Sequence, residues 1–432
     1  GIGVFKWGAV PVLIVVGARL AWGWAAWHRL GRAEGALRAK HLWLDEAQLR
    51  GTPVPDGQNA AAALLKVLDG MTLSSAEAHL VTGGTGDLLT IHRTPADLGI
   101  IDHMLGRLQP LWGQLDEAGN YSGAYWPEWF NHSLLNARAD NVRSQSWTLG
   151  LILLRASRRS HEQGDDVAAL RALRRIMIAS RIFGSYSSQD GHLAALHLRS
   201  AAADGLLHAL PTLTLNARTK AEGARLAGMF QEEKVFDAEK VRVLAGGCAE
   251  MPGYVRMNWP GVTDSWLMRP LAADATGRFR RQAEALMPDA EAALYPHVAD
   301  AYDFARESAI TTTISGTWSI TGNPSLRLHD RSLVATRAAA TLWALRLYED
   351  AHQRYPEALA ELVPAYLPQV PVDVFSPTGA ALRYRVDEKG PTVWSVGEDG
   401  INEGGVPNSF WGRDIVYGAA QSSAANASWI AE

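Results

Sequence analysis

Residues 4–27 read VFKWGAVPVLIVVGARLAWGWAAW, and the length and apolarity of this run decide how the rest of the chain is read. A helix rises ~1.5 Å per residue, so about 20 apolar residues cross a ~30 Å hydrocarbon layer. Only Lys6 and Arg19 carry charge within the run. Lys6 lies near one end, where a long side chain reaches the headgroups. Arg19 lies about two turns from the other end, and at mid-bilayer it would cost ~2–3 kcal/mol on insertion scales. Arg19 is therefore expected to reach either the interface or a neighbouring subunit. Trp22, Trp24 and Trp27 crowd the far end, where indole rings favour the boundary between membrane and water. A cleaved signal peptide would have a shorter apolar region and a small-residue cleavage site; Trp22 to Trp27, followed by His28, Arg29 and Arg32, offers none. The run predicts a single transmembrane anchor over residues 1–30, with membrane lipid as its partner.

Orientation follows less directly. Arg29, Arg32, Arg38 and Lys40 follow the helix and Lys6 precedes it, which by the positive-inside rule places the large C-terminal part in the cytoplasm. Basic residues upstream of Gly1 would alter that count, and the C-terminal resemblance given below points the other way. The expectation adopted is an inner-membrane, single-pass protein with its bulk in the periplasm.

Composition narrows the function classes. A net charge of -4 and a pI near 6.4 give no electrostatic reason to bind nucleic acid. The single cysteine, Cys248, allows neither an internal disulfide nor a cysteine-rich metal site. With 432 residues, 47% of them hydrophobic, the chain can bury one large core or two to three smaller ones.

Beyond the anchor, residues 31–94 read as stalk and linker. Leu30, Leu37 and Leu44 continue a helical stripe. Pro53 and Pro55 then force an extended stretch, and Asp56 or Asn59 is placed to cap a helix over 60–68. An N-terminal anchor, a helical stalk and then PVPDGQNAA resemble a group of uncharacterised bacterial single-pass membrane proteins; the likeness covers about the first 70 residues and implies no activity.

Residues 95–325 are dominated by helical periodicity. Ile101, Met104 and Leu108 form one stripe, Leu149 to Leu154 belong to a more buried helix, Leu170, Leu173, Ile176 and Met177 form a third, and Leu196 and Leu206 a fourth. Breakers at Gly164-Asp165, 185–191 and Pro211 separate them, so antiparallel pairs joined by short loops are expected. No fixed repeat period appears, which favours an irregular bundle or solenoid over a tetratricopeptide array. Helix is expected again over 275–309, and 310–325, rich in β-branched and turn residues, reads as a hairpin or ordered loop.

The last segment, 326–432, begins with a strong amphipathic helix and continues with two alternating strands over 382–386 and 392–396. Its marks are Tyr355-Pro356, Leu359, Leu362, Tyr366-Leu367, Pro371, Asp373, Phe375, Gly379, Leu382, Tyr384, Trp394-Ser395-Val396-Gly397, Asp399-Gly400 and Gly404-Gly405. Over about 80 residues this resembles the C-terminal half of the major pseudopilin of type II secretion systems. In that family the unit directly follows the membrane helix. Here about 300 residues intervene, and GIGVFKW carries neither the processing site nor the Glu of a pseudopilin, so assembly into a pseudopilus is not expected. The resemblance implies Ca²⁺ in the loop after the second strand, with Glu398, Asp399, Asn402, Glu403 and Asp414 as hard oxygen ligands. Turn chemistry reads the same residues as a solvated loop, and that reading is preferred.

No catalytic signature appears: there is no HExxH, no Walker or GxGxxG spacing at TGGTGD (82–87), and no GxSxG or SxxK. Two runs, Arg155-Arg158-Arg159 and Arg171-Arg174-Arg175, read as helix faces balanced by nearby acids more readily than as a cationic docking face. The aromatic segment AYWPEWFNHS (124–133), with Trp126 and Trp129, reads as a packed loop or a contact patch.

The sequence thus predicts a mainly α fold: an N-terminal transmembrane helix, an irregular helical bundle or solenoid, and a small C-terminal α+β pseudopilin-like unit. The expected function is a non-catalytic, membrane-anchored accessory or scaffolding subunit of a larger bioenergetic or secretion complex. It needs no cofactor, with Ca²⁺ as the one candidate, and its partners are lipid and other subunits. The alternatives are an envelope enzyme or ligand binder using the helical region, and a pseudopilin-related secretion component.

Overall fold

The computed structural model describes residues 2–39, 50–55, 57–82, 94–127, 137–186, 189–232, 255–256, 260–291, 324–406 and 413–418. It is mainly helical, with one three-stranded antiparallel sheet.

Helix α1 (Ile2–Ala39) runs unbroken for 38 residues, about 57 Å at the helical rise. Helix α2 (Ala60–Gly70) starts at Asn59, whose side chain accepts from the amides of Ala61 and Ala62 and also bonds both backbone groups of Tyr125. That single residue caps a helix and ties down a distant loop. Helices α3 (Ser75–Thr82) and α4 (Pro95–Ala118) follow, the second opened by a Thr94/Asp97 capping box with Pro95 at its first position.

Helices α5 (Ala137–Glu162), α6 (Asp166–Gly184) and α7 (Gln189–Ala209) pack against one another as the centre of the bundle. Gly164, at φ +79°, makes the tight turn between α5 and α6. Along α7, Gly191 meets the end of α6 and Gly205 meets Leu173 of α6 and Leu154 of α5. These contacts place α6 antiparallel to α7, as short connections require. Helix α8 (Ala217–Phe230) lies on α6.

A short helix α9 (Pro260–Asp264) leads into α10 (Arg269–Glu291), which packs on α1. The sequence places the return of helix at residue 275; it begins six residues earlier because Pro270 is accommodated in the first turn, where no amide donor is needed. The segment 292–323, including the expected hairpin, lies outside the described residues.

Helix α11 (Pro324–His352) is the axle of the fold. Every residue from Ser332 to Leu345 is buried, because α7 and α8 cover one side and the sheet covers the other. The helix is fit for this by small residues, Ala338, Ala339 and Ala340, and by hydroxyls satisfied within it: Thr336 donates to the Leu333 carbonyl and Thr341 to that of Arg337. Strands β1 (Arg383–Asp387), β2 (Gly390–Ser395) and β3 (Ile415–Gly418) pair in that order. The first two fall close to their expected places; the third went unread.

One hydrophobic core runs from Ala60 to Tyr417. The expected boundary at 325/326 therefore separates segments that share a core. Because α11 packs on both α7 and α8, the helical region is a bundle rather than a solenoid, in which each unit would touch only its neighbours.

Candidate membrane-interface site

Residues 12–15 of α1 stand clear of the body. Val12, Leu13, Ile14 and Val15 are 60%, 68%, 64% and 58% exposed. Four consecutive helical residues, about 100° apart, cover the whole circumference, so no protein face shields this segment. Among the described residues no helix is long and apolar enough to cross a membrane; the side chains of 4–11, Lys6 among them, lie outside those described.

From Arg19 onward α1 is clamped to α10. Arg19 is only 9% exposed. Its Nε donates to the Trp266 carbonyl at 2.8 Å, a second guanidinium nitrogen donates to the same oxygen, and the cation lies 4.8 Å from the centre of the Trp266 ring. Gly23 makes room: a Cβ there would meet Arg19 Nη1 at 2.6 Å. One turn on, Asp274 accepts from Trp22 Nε1 at 3.0 Å and from Arg29 at 2.7 and 3.1 Å. Ala26, Leu30 and Ala273 close a small apolar cluster distinct from the main core, and Glu34 pairs with Arg280. Partner numbers rise together along both helices, so α1 and α10 run parallel.

Arg19, expected to reach the interface or a neighbouring subunit, has its hydrogen-bond partner within its own chain. Its partner is Trp266 of the same chain, 247 positions away, and no local sequence signal could have paired them. Of the tryptophans, Trp22 is half-buried against Asp274, whereas Trp24 and Trp27 face outward at 72% and 53% exposure, the first stacked on His28.

The aromatic loop resolves in favour of packing at Trp126. That side chain is fully buried between Phe183 and Tyr186 and donates to Ser185 Oγ at 3.1 Å, so it offers no surface to a partner or membrane. Trp129 lies outside the described residues.

In the C-terminal loop the five expected Ca²⁺ ligands have separate engagements. Glu398 pairs with Arg331 at 2.7 Å. Asp399 accepts from the Ile401 amide, and Asn402 accepts from Trp394 Nε1 and the Gly404 amide. Glu403 accepts from the Asp414 amide, and Asp414 from that of Gly405. Three of these bonds, to the Ile401, Gly404 and Gly405 amides, are the side-chain-to-backbone kind that Asp and Asn make in turns. Only Glu403 and Asp414 adjoin; burial, then the neighbouring Glu403 charge, pushes the Asp414 carboxyl up despite the amides it faces. Among the described residues no three His, Cys, Asp or Glu side chains converge to hold a metal ion.

Four arginines of the two runs are paired with acids, Arg158 within its own helix and Arg159, Arg174 and Arg175 across to other helices. Arg158 pairs with Glu162, Arg159 with Asp102 at 2.7 Å, Arg174 with Glu222 at 2.6 Å and Arg175 with Asp116 at 2.6 Å. The Arg159 hydrogen bond holds the Asp102 carboxyl below its usual range. No family model, curated protein or solved structure matches the chain.

Proposed function

We propose that this chain is a non-catalytic protein of the inner membrane, anchored by the N-terminal half of α1, with its helical body and C-terminal α+β unit on the extracytoplasmic side as an accessory subunit of a larger membrane complex. The observation that carries the anchor is the ring of exposure at Val12 to Val15: aliphatic side chains on every face of a helix with no protein around them are stable only where the solvent is itself apolar. Trp24 and Trp27 then sit at the headgroup level, and the clamp to α10 sets how the body leaves the membrane.

For the subunit role, the surface offered is the loop after β2. Ile401 and Val406 are 61% and 58% exposed on a segment, 398–406, tied to the body by Glu398 to Arg331 and by Arg385 to the Gly404 and Gly405 carbonyls.

The test is fractionation followed by native separation. The chain should stay with membranes through alkaline carbonate washing, and after mild detergent extraction it should migrate with companions in fixed stoichiometry. Release by carbonate would refute the anchor; a lone 46.9 kDa chain in its micelle would refute the subunit role.

A further inference from the structure

We infer that the turn from Ser265 to Met268, joining α9 to α10, is a second bilayer-contact element that inserts beside α1 into the headgroup and acyl boundary of the same leaflet. The inference rests on the anchor reading given above and extends it from one point of attachment to two.

Trp266 and Leu267 are 55% and 48% exposed, and they are neighbours at the tip of a turn rather than scattered surface residues. Their depth is fixed by Arg19, whose guanidinium grips the Trp266 carbonyl. Trp24 lies five residues further along α1, so the turn sits about 7.5 Å deeper than that indole, within the ~5–10 Å that interfacial elements reach. The exposed apolar surface of α1 at this level, Leu20 at 57%, makes the tip continuous with the lipid-facing helix.

Three of the four carbonyls of the turn have hydrogen-bond partners within the chain. A carbonyl left unsatisfied in an apolar medium costs several kcal/mol. The Ser265 carbonyl accepts from the amides of Met268 and Arg269, the Met268 carbonyl from that of Leu271, and the Trp266 carbonyl from Arg19. Arg19 thus has a role a lone transmembrane arginine would lack: it satisfies the Trp266 carbonyl, and the Trp266 ring over it shields its charge. Arg269, exposed at the start of α10, donates through Nε to the Thr263 carbonyl at 3.2 Å and so ties α9 to α10 across the turn. Lipid is the assigned occupant because the exposed Trp266 and Leu267 lie beside the exposed apolar surface of α1 at Leu20, which the anchor reading places in lipid.

The test uses the full chain with Cys248→Ser, reconstituted in phosphatidylethanolamine and phosphatidylglycerol vesicles. An environment-sensitive fluorophore is attached at Leu267→Cys, with Leu13→Cys as the deep reference and Glu388→Cys as the water reference. The Leu267 probe should emit to the blue of the Glu388 probe and lose about half its intensity to nitroxides placed high on the acyl chains, as a shallowly inserted element does. The Leu13 probe should respond to nitroxides near the chain ends. A Leu267 probe that behaves as the Glu388 probe, while Leu13 is quenched, overturns this inference and leaves the anchor standing. A blue-shifted Leu267 probe that no lipid nitroxide quenches means that protein covers the turn, and also overturns it. An unquenched Leu13 probe removes the anchor as well.

Discussion

Replacing Asp274 by Ala should release α10 from α1 while leaving the core folded. The carboxylate takes three hydrogen bonds across the pair, two from Arg29 and one from Trp22. The Arg29 side chain is 40% exposed, so its ion pair is screened and contributes no more than about 1 kcal/mol. The indole bond adds ~1 kcal/mol. Losing ~2 kcal/mol raises the open population of the pair about 25-fold. Because the Ala26, Leu30 and Ala273 cluster is separate from the main core, the opening is local. Hydrogen exchange read by mass spectrometry should show amides of Arg269–Glu291 exchanging faster by that factor, with those of Asp166–Gly184 unchanged. If both helices accelerate together, or neither does, the clamp is not the separate unit described here.

Three further outcomes follow from the packing and the titrating groups. Gly223→Ala would bring a Cβ to 2.1 Å from a Trp343 ring carbon; the overpacking cost of ~1–3 kcal/mol outweighs the ~1 kcal/mol gain in helix propensity, so thermal denaturation should show a lower Tm. Trp126→Ala should cost ~3–5 kcal/mol in denaturant unfolding, and Trp126→Phe markedly less, because the ring contacts rather than the indole bond dominate. Glu361 is held down to about 2 by the Tyr348 hydroxyl, then by the amides of Glu357 and Ala358. A carboxyl depressed on folding adds stability above its unfolded value near 4.5 that is lost as pH falls towards 2; Glu361→Gln should therefore flatten the acid limb of the stability profile in that window, and an unchanged acid limb would refute the assignment.

Local physics made much of this fold legible. Asn59, Thr94 with Pro95, and Gly164 mark helix ends by chemistry confined to a few residues. The alternation through Tyr384 and Val393 gave the β hairpin, whereas β3, four residues separated by a loop from its partner, carries too short a pattern to stand out. The candidate site was half legible. The length of α1 and the outward-facing Trp24 and Trp27 could be read from the apolar run itself. The pairing of Arg19 with Trp266 could not, because a parallel helix pair closed across more than two hundred residues leaves no periodic trace. At Trp126 an aromatic beside a proline left packed loop and contact patch both open, and the positions of Phe183 and Tyr186 make it core.

The central claim, that the bare segment of α1 is surrounded by lipid, is tested most directly by scanning a nitroxide through residues 12–20 of the chain in vesicles and measuring its accessibility to oxygen and to a polar nickel chelate. Positions 12–18 should be oxygen-accessible and chelate-protected with no helical period, and position 19 should drop out because Arg19 faces α10. A 3.6-residue oscillation in oxygen access would mean that protein covers one face, and chelate access at 12–15 would mean water; either result contradicts the account.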